Sequence, residues 1–373
     1  MKHPAFSLLF AFCLLLLSGH TGTCRELPDS VYVGGQLMHV QGIALDPERP
    51  YMYFSFTSRF VKTDLKGNIL GSIDRIQGHL GALAFNPADR TVYASLECKD
   101  DEIGEGIARK LDVRKVDRKG STFYVALIDV DKVDRTGMDP ERDDVLRTVC
   151  IREACRDYQA TVRTGRTVRE HRFGCSGIDG ITLAPLPGRR KGPLYVWVAY
   201  GIYSDVDRAD NDHQVLLCFD PATLRGDARK VIFGTLHHEG PRHPAARYFV
   251  FTGNTSYGVQ NLAWDPESNR LLLAVYRGKK PQFPNYDLFA VSLDQTPTRG
   301  SLPGVPYLGS ADRLRPDLPG WHFRWGSTGL CPAGEGLWYI SENRKEPFSQ
   351  RQSCTARLYR WKGETNAPFE KVR

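Results

Sequence analysis

Short apolar runs alternate with turn residues along the chain, and one such pattern occurs five times. Each copy has a small or polar opening, an alternating apolar run, a turn and a second apolar run. The five copies are "HVQGIALDPERPYMYFSF" (39–56), "GHLGALAFNPADRTVYASLE" (78–97), "SGIDGITLAPLPGRRKGPLYVWVAY" (176–200), "YGVQNLAWDPESNRLLLAVY" (257–276) and "GSTGLCPAGEGLWYISE" (326–342). Runs of this length and period, bounded by Gly and Pro, predict pairs of β-strands.

A third apolar run follows each pair, and a fainter fourth run follows the first three. Four short strands in each repeated unit are typical of a β-propeller, in which radial repetition protects the sheet edges. We therefore predict an all-β, five-bladed propeller with four strands in each blade, forming one domain over residues 24–373. Residues 31–38 are expected to complete the last blade. Six blades are the alternative, with the extra blade inside 99–121 or 297–325.

The first 23 residues have a basic start, an apolar stretch from Phe6 to Leu17, and small residues after it. This pattern predicts a secretory signal peptide cleaved between Ser18 and Cys24, because the apolar run is short for a membrane span. The mature protein is then expected to be secreted or periplasmic. A lipid anchor at Cys24 is the less favoured alternative.

Eight cysteines remain after Cys13 of the signal segment is set aside. An even number in an exported chain permits disulfides, and a bridge within the group Cys150, Cys155 and Cys175 is a reasonable expectation. The net charge of +7 is spread along the chain, with interspersed Asp residues in its densest part. This distribution does not predict a nucleic-acid partner.

In a propeller the inner strand of each blade lines a central channel, so residues that open these strands converge at one mouth. The ends of the second strands and the loops after them reach the same mouth. The polar side chains at these places are Gln41, His79, Asp179, Gln260, Asn261 and Thr328 at the openings, with Glu97, Tyr200, Tyr203, Tyr276, Arg277 and Glu342 at the ends and loops. A concave place with several convergent polar groups is the default position of a ligand site.

The motifs "GIDGITLAP", "VQNLAWDP" and "VKTDLKGNILGSI" resemble those of the six-bladed propellers of the SMP-30/gluconolactonase, paraoxonase and NHL type. In those hydrolases, acidic and Asn residues at the channel mouth hold calcium or another divalent ion, and Asp179 and Asn261 match that pattern. The chain departs from the pattern at Gln41, where the hydrolases have a glutamate, and at His79 and Thr328. The resemblance therefore carries over the fold better than the activity.

The leading hypothesis for function is a metal-assisted hydrolase of small esters, lactones or phosphoesters. Asp179, Asn261 and Glu97 would hold a divalent ion, with calcium as the first choice, because hard cations prefer carboxylate and amide oxygens. His79 would act as the general base, because an imidazole titrates near working pH, and Glu97 would share in the catalysis.

Two other functions remain open. A non-catalytic propeller could bind a sugar or small molecule through flat aromatic faces and polar handles. Its ligand-binding residues would be Gln41, Tyr200, Tyr203, Tyr257, Tyr276, Arg277 and Glu342. A glycosidase would instead use two carboxylates among Glu97, Asp179 and Glu342. The acidic segment "SDVDRADND" (204–212) is a further calcium candidate, although a solvated turn is the more common role of such a loop.

Overall fold

A computed structural model of the chain describes residues 26–112, 120–363 and 366–372. The predicted signal peptide and Cys24 lie outside these residues, as do residues 113–119, which belong to the part of the chain where basic residues are densest. The described residues include no helix that is both long and apolar enough to cross a membrane.

Short strands make up most of the described chain. In chain order they are β1 (Ser30–Gln36), β2 (Gly42–Leu45), β3 (Tyr51–Ser55), β4 (Phe60–Asp64), β5 (Ile69–Ile73), β6 (His79–Asn86), β7 (Thr91–Cys98), β8 (Thr122–Asp129), β9 (Leu146–Cys150), β10 (Thr161–Thr164), β11 (Thr167–Glu170), β12 (Cys175–Pro185), β13 (Leu194–Ile202), β14 (His213–Phe219), β15 (Arg229–Lys230), β16 (Ala246–Phe251), β17 (Thr255–Asp265), β18 (Arg270–Arg277), β19 (Leu288–Ser292), β20 (Thr298–Gly300), β21 (Ala311–Leu314), β22 (Leu330–Gly334), β23 (Leu337–Lys345), β24 (Gln352–Trp361) and β25 (Phe369–Lys371). The helices are α1 (Glu102–Leu111), α2 (Arg152–Gln159) and α3 (Pro221–Asp227), and a 3-10 turn spans Arg172–Gly174.

Five sheets form a ring, as the sequence pattern predicts, so the chain is a five-bladed β-propeller. Blade 1 is β2-β3-β4-β5, blade 2 is β6-β7-β8-β9-β15, and blade 3 is β12-β13-β14-β16-β21-β20. Blade 4 is β17-β18-β19, and blade 5 is β22-β23-β24-β1 with β25 paired to β24. The number of strands therefore varies around the expected four.

The N-terminal strand closes the ring. β1 pairs antiparallel with β24, placing Ser30 opposite Arg357 and Val33 opposite Cys354. The same blade thus contains strands from both ends of the described chain, which confirms the predicted contribution of residues 31–38. β1 forms the outer strand of blade 5, and the chain then continues into β2, the inner strand of blade 1, so the last blade is joined to the first.

The two insertions that could have held a sixth blade are used differently. The described part of 99–121 contains α1, whose buried Ile107 and Leu111 pack against Met38. The segment 297–325 supplies β20 and β21, and β21 pairs in parallel with β16 at the outer edge of blade 3. The ring therefore has five blades, not six.

The hydrophobic core lies between the blades, because each sheet packs against a neighbour on both faces. Every residue of β12 is buried, as expected for a strand covered on both sides. Large aromatic side chains of the second strands fill these layers, including the fully buried Tyr53, Tyr93, Trp197 and Trp338. Burial of the strands on both faces therefore explains why the apolar runs in the sequence are continuous.

The inner strands approach closely at the middle of the channel. A Cβ atom on Gly42 would lie 2.8 Å from the backbone of Ala82, and one on Gly180 would lie 2.9 Å from Val259. Glycine at these positions allows neighbouring blades to meet. One end of the channel is the polar mouth, where the inner strands begin, and the other is the end where they finish.

Candidate functional site

Three titratable side chains meet at the mouth where the inner strands begin. His79 is the first residue of β6, and Glu97 lies opposite it on the neighbouring strand β7. Asp179 comes from β12 of the next blade. His79 Nδ1 lies 3.9 Å from Glu97 Oε2 and 3.9 Å from Asp179 Oδ1. One ligating atom from each residue lies within 4.8 Å of the other two. We call these three residues the mouth triad.

Glu97 is held from both sides. Its Oε1 atom accepts a hydrogen bond of 3.0 Å from the backbone N–H of Ile178, and its Oε2 atom lies 3.0 Å from Lys99 Nζ. The contact with blade 3 depends on Gly177, since a Cβ atom there would lie 1.8 Å from Glu97 Oε1. The small residue before "IDGITLAP" thus lets the carboxylate of one blade reach the backbone of the next.

Asp179 is fixed by two neighbouring blades. Its Oδ2 atom accepts a hydrogen bond of 2.9 Å from Gln260 Nε2, and its carbonyl oxygen accepts one of 2.5 Å from Ser95 Oγ. The Gln260 amide is itself oriented by a second bond of 2.9 Å to the carbonyl of Tyr257. These bonds leave Asp179 Oδ1 facing His79.

Burial changes the protonation of the mouth triad. It lowers the pKa of His79 to about 3, with smaller contributions from Lys99 and His39, so the imidazole is neutral at pH 7. Burial raises the pKa of Glu97 and of Asp179, and the attraction of Lys99 offsets this only in part. Burial alone would lower the pKa of Lys99, but the two carboxylates together raise it. Burial is the largest cause for each residue of the mouth triad, and Lys99 and the two carboxylates stabilise one another's charges.

The mouth triad fits a divalent cation. His79 Nδ1 is buried and has no hydrogen-bond partner among the described residues. A neutral imidazole nitrogen and two carboxylate oxygens form a mixed donor set, which suits Zn²⁺, Mn²⁺ or Fe²⁺. Calcium instead takes six to eight oxygen ligands, so this donor set argues for a transition-metal type of ion.

Lys99 is a site residue that the sequence reasoning missed. Only 5% of its side chain is exposed, and its ammonium group is the nearest cation to Glu97. A signal was present, because Glu97 and Lys99 are two residues apart at the end of a strand and so lie on the same face of the sheet.

Asn261 and Gln41 lie at the channel but have other partners. The Asn261 amide nitrogen donates hydrogen bonds of 2.9 Å to the carbonyls of Gln41 and Ser327. It thereby links blade 4 to blades 1 and 5. Gln41 Nε2 lies 2.8 Å from His39 Nε2 and 3.3 Å from Thr57 Oγ1. These contacts join blades and orient loops.

The predicted tyrosines divide into two groups. The charge of Asp179 contributes to the raised pKa of Tyr276, after burial, and the exposed ring of Tyr257 meets Tyr276 edge-on at 6.3 Å. These two rings therefore lie near the mouth triad. Tyr200 is fully buried and donates a hydrogen bond of 2.9 Å to Asp157, which makes it a core residue.

The other predicted residues pair elsewhere. The Glu342 carboxylate accepts a hydrogen bond of 2.9 Å from Tyr359 and forms ion pairs of 2.8 Å with Lys371 and 3.2 Å with Arg357, all in blade 5. It does not belong to the mouth triad.

The two remaining residues also have neighbours of their own. Arg277 forms an ion pair of 2.9 Å with Asp287. Tyr203 lies with its ring 5.1 Å from that of His171. Burial raises the pKa of Tyr203 and the charge of Lys99 lowers it in part, so this residue lies on the Lys99 side of the site.

The acidic segment 204–212 is neutralised by basic side chains. Lys280, with 2% of its side chain exposed, donates hydrogen bonds to the oxygens of Asn211 and Asp212. Arg208 pairs with Asp210 at 2.7 Å. Asp210 and Asp212 are therefore paired with cations of the protein itself.

The Cys150 and Cys155 sulfurs lie 3.7 Å apart. A disulfide requires about 2.05 Å, and no cysteine pair among the described residues is at that distance. The disulfide stays a prediction.

Comparison with known proteins adds little to this description. No family model matches the chain, and no curated protein matches it. Among solved structures, the chain is similar to one titled "Crystal structure of Nidogen/Laminin Complex", at 12% identity and a TM-score of 0.31, over 81% of this chain and 72% of that one. A likeness of this size carries no argument about function.

Proposed function

We propose that this propeller binds a divalent metal ion at the mouth triad and hydrolyses a small ester, lactone or phosphoester there. One observation carries the proposal: three ligating side chains from two blades converge within 4.8 Å, and the buried His79 nitrogen among them has no partner among the described residues. Such a nitrogen costs folding free energy unless something binds it.

Within this proposal His79, Glu97 and Asp179 hold the ion. A bound divalent ion would polarise a carbonyl or phosphoryl oxygen and make a water molecule more acidic. His79 is better suited to this role than to that of general base, because an imidazole with a pKa of about 3 is too weak a base at neutral pH. His79 would therefore serve as a ligand and not as the base, and it would take the ligand position predicted for Asn261.

Glu97 would share in the catalysis by holding the ion. Burial raises its pKa in the ion-free site, and a bound divalent ion would lower that pKa again. Lys99 stays beside it at 3.0 Å and would also attract the negative charge that develops on a substrate oxygen. Tyr276 and the exposed Tyr257 would form one wall for the substrate.

A non-catalytic binding site is the second candidate, and the ion pair between Lys99 and Glu97 favours it. Lys99 already supplies a positive charge to the two carboxylates, so the mouth could hold a polar ligand without a metal. A glycosidase is less favoured, since Glu342 is bound within blade 5. His79 Nδ1 also lies 3.9 Å from both Glu97 and Asp179, between the carboxylates that would flank a sugar bond.

The test is hydrolysis of a lactone, an aryl ester and an aryl phosphodiester by the purified protein, before and after chelation. We expect turnover of at least one class, its loss on chelation, and its return with Mn²⁺ or Zn²⁺. Asp179→Asn should lower turnover at least tenfold, whereas Glu102→Gln on the surface of α1 should not change it. Turnover that survives chelation, or none on any substrate in metal-loaded protein, would overturn the hydrolase proposal.

A further inference from the structure

A cavity of about 760 Å³ lies at the end of the channel opposite the mouth triad. All five inner strands contribute residues to it, and its wall includes Leu45, Leu83, Leu183, Trp264 and Ala333. Leu183 is four positions after Asp179, which is about 13 Å along a strand. The bonds from Asn261 across the channel lie between the two ends. The cavity is therefore a separate place in the molecule.

The wall of this cavity is almost wholly apolar. Its two uncharged polar side chains, among the described residues, already serve the backbone: Thr182 Oγ1 accepts from the Trp264 N–H at 3.2 Å, and Asn86 Oδ1 accepts from the Ala88 N–H at 3.1 Å. The indole N–H of Trp264 is taken by Asn269 at 3.1 Å. Leucine, proline and aromatic surfaces remain for a ligand. A volume of this size lies within the roughly 300–1,000 Å³ of pockets for drug-sized molecules.

The charged residues of the wall have one sign. Glu26 and Glu335 are the charged side chains among the described residues that line the cavity, and no Lys, Arg or His lines it. The backbone N–H of Glu335 also bonds to the carboxylate of Glu267, which brings a third acid to the rim. Nearby arginines point to backbone oxygens: Arg360 to the carbonyl of Glu335, and Arg190 to that of Glu267.

We propose that this cavity binds a small molecule with an apolar body and a cationic amine. The body would fill the ring of leucines and lie against Trp264, and the ammonium group would remain at the rim near Glu335 and Glu26. Carboxylates at the rim repel an acidic amphiphile and attract an amine. Of two ligands with apolar chains of equal length, the amine should therefore bind more tightly than the acid. This site goes beyond the hydrolase proposal and does not depend on it.

The test is calorimetric titration of the full chain with decylamine, decanol and decanoate at neutral pH, below their aggregation concentrations. We expect decylamine to bind most tightly, decanol less tightly and decanoate most weakly. Hexylamine should bind on the order of 100-fold more weakly than decylamine, because each buried methylene contributes about 0.8 kcal/mol and tenfold in affinity is about 1.4 kcal/mol.

Two variants locate the site. Ala333→Trp fills the cavity without removing an existing apolar contact, so it should abolish binding of decylamine and decanol alike. Glu335→Gln should weaken the binding of decylamine but not that of decanol, so the difference in affinity between the two should become smaller. Glu102→Gln on α1 should leave both affinities unchanged.

Absence of binding by all three ten-carbon probes would overturn the proposal. Equal affinity for amine and acid, or binding unchanged by Ala333→Trp in a protein that still melts cooperatively, would also overturn it. Chelation of metal should leave decylamine binding unchanged, so failure here is distinguishable from failure of the hydrolase.

Discussion

Replacing Asn261 separates two roles for this residue, a metal ligand and a link between blades. The structure shows its amide nitrogen donating 2.9 Å hydrogen bonds to the carbonyls of Gln41 and Ser327. Each buried hydrogen bond contributes about 0.5–1.5 kcal/mol, and an acceptor left without a partner adds to the loss. Asn261→Ala should therefore lower the free energy of unfolding by about 2–4 kcal/mol. Asn68→Ala, at an exposed turn, should cost less than about 1 kcal/mol.

Guanidinium unfolding and metal titration of the same variants decide between the roles. Asn261→Asp keeps an oxygen ligand but loses the donor and places a carboxylate against two carbonyls. If Asn261 links the blades, Asn261→Asp should be at least as unstable as Asn261→Ala. The affinity for metal should change little in either variant. If Asn261→Ala instead kept its stability and lost metal affinity, or Asn261→Asp bound metal more tightly, our interpretation of this residue would be refuted.

Three further predictions follow from the buried charges. The raised carboxyl pKa values of the mouth triad mean that the folded, metal-free protein keeps protons that the unfolded chain releases near pH 4. The free energy of unfolding of the wild type, relative to that of Glu97→Gln, should therefore fall as the pH rises from about 4 towards 8. Denaturant titration in the presence of chelator measures this difference. A difference that stays constant with pH would contradict the predicted direction. Lys280→Met leaves Asp212 buried without its cation, so the unfolding free energy should fall by about 3–5 kcal/mol, and an unchanged denaturation midpoint would count against that pairing. Glu342→Gln should leave metal affinity within twofold of wild type in calorimetry, and a tenfold loss would return Glu342 to the site.

The repeated strand pairs were enough to predict the ring of five blades and the closing strand. Period-two runs between Gly and Pro specify strands locally, and their fivefold recurrence leaves few architectures that bury both faces. The strand count of each blade was less predictable. β21 joins blade 3 through a parallel pairing at its edge, and a short polar strand of this kind has no distinctive pattern.

The polar mouth was predicted in outline, because strand openings must converge in a propeller. Which side chains meet there depends on contacts between blades, and these have no sequence signature. Gly177 illustrates the difficulty: its lack of a Cβ allows Glu97 to reach Ile178, and nothing local marks it for that role. Tyr200 closes a strand at the same end, yet its ring turns into the core, because Asp157 of α2 lies there to accept its hydroxyl.

The central claim is that the mouth triad holds one divalent ion, and titration of chelated protein with Mn²⁺ and Zn²⁺ by calorimetry tests it most directly. We predict one ion bound per chain. Binding should be lost in His79→Ala and weakened at least tenfold in Asp179→Asn, and a much smaller response to Ca²⁺ should follow from the nitrogen ligand. The contrary result would be no uptake of any of the three ions, or uptake of equal affinity and stoichiometry in wild type and His79→Ala.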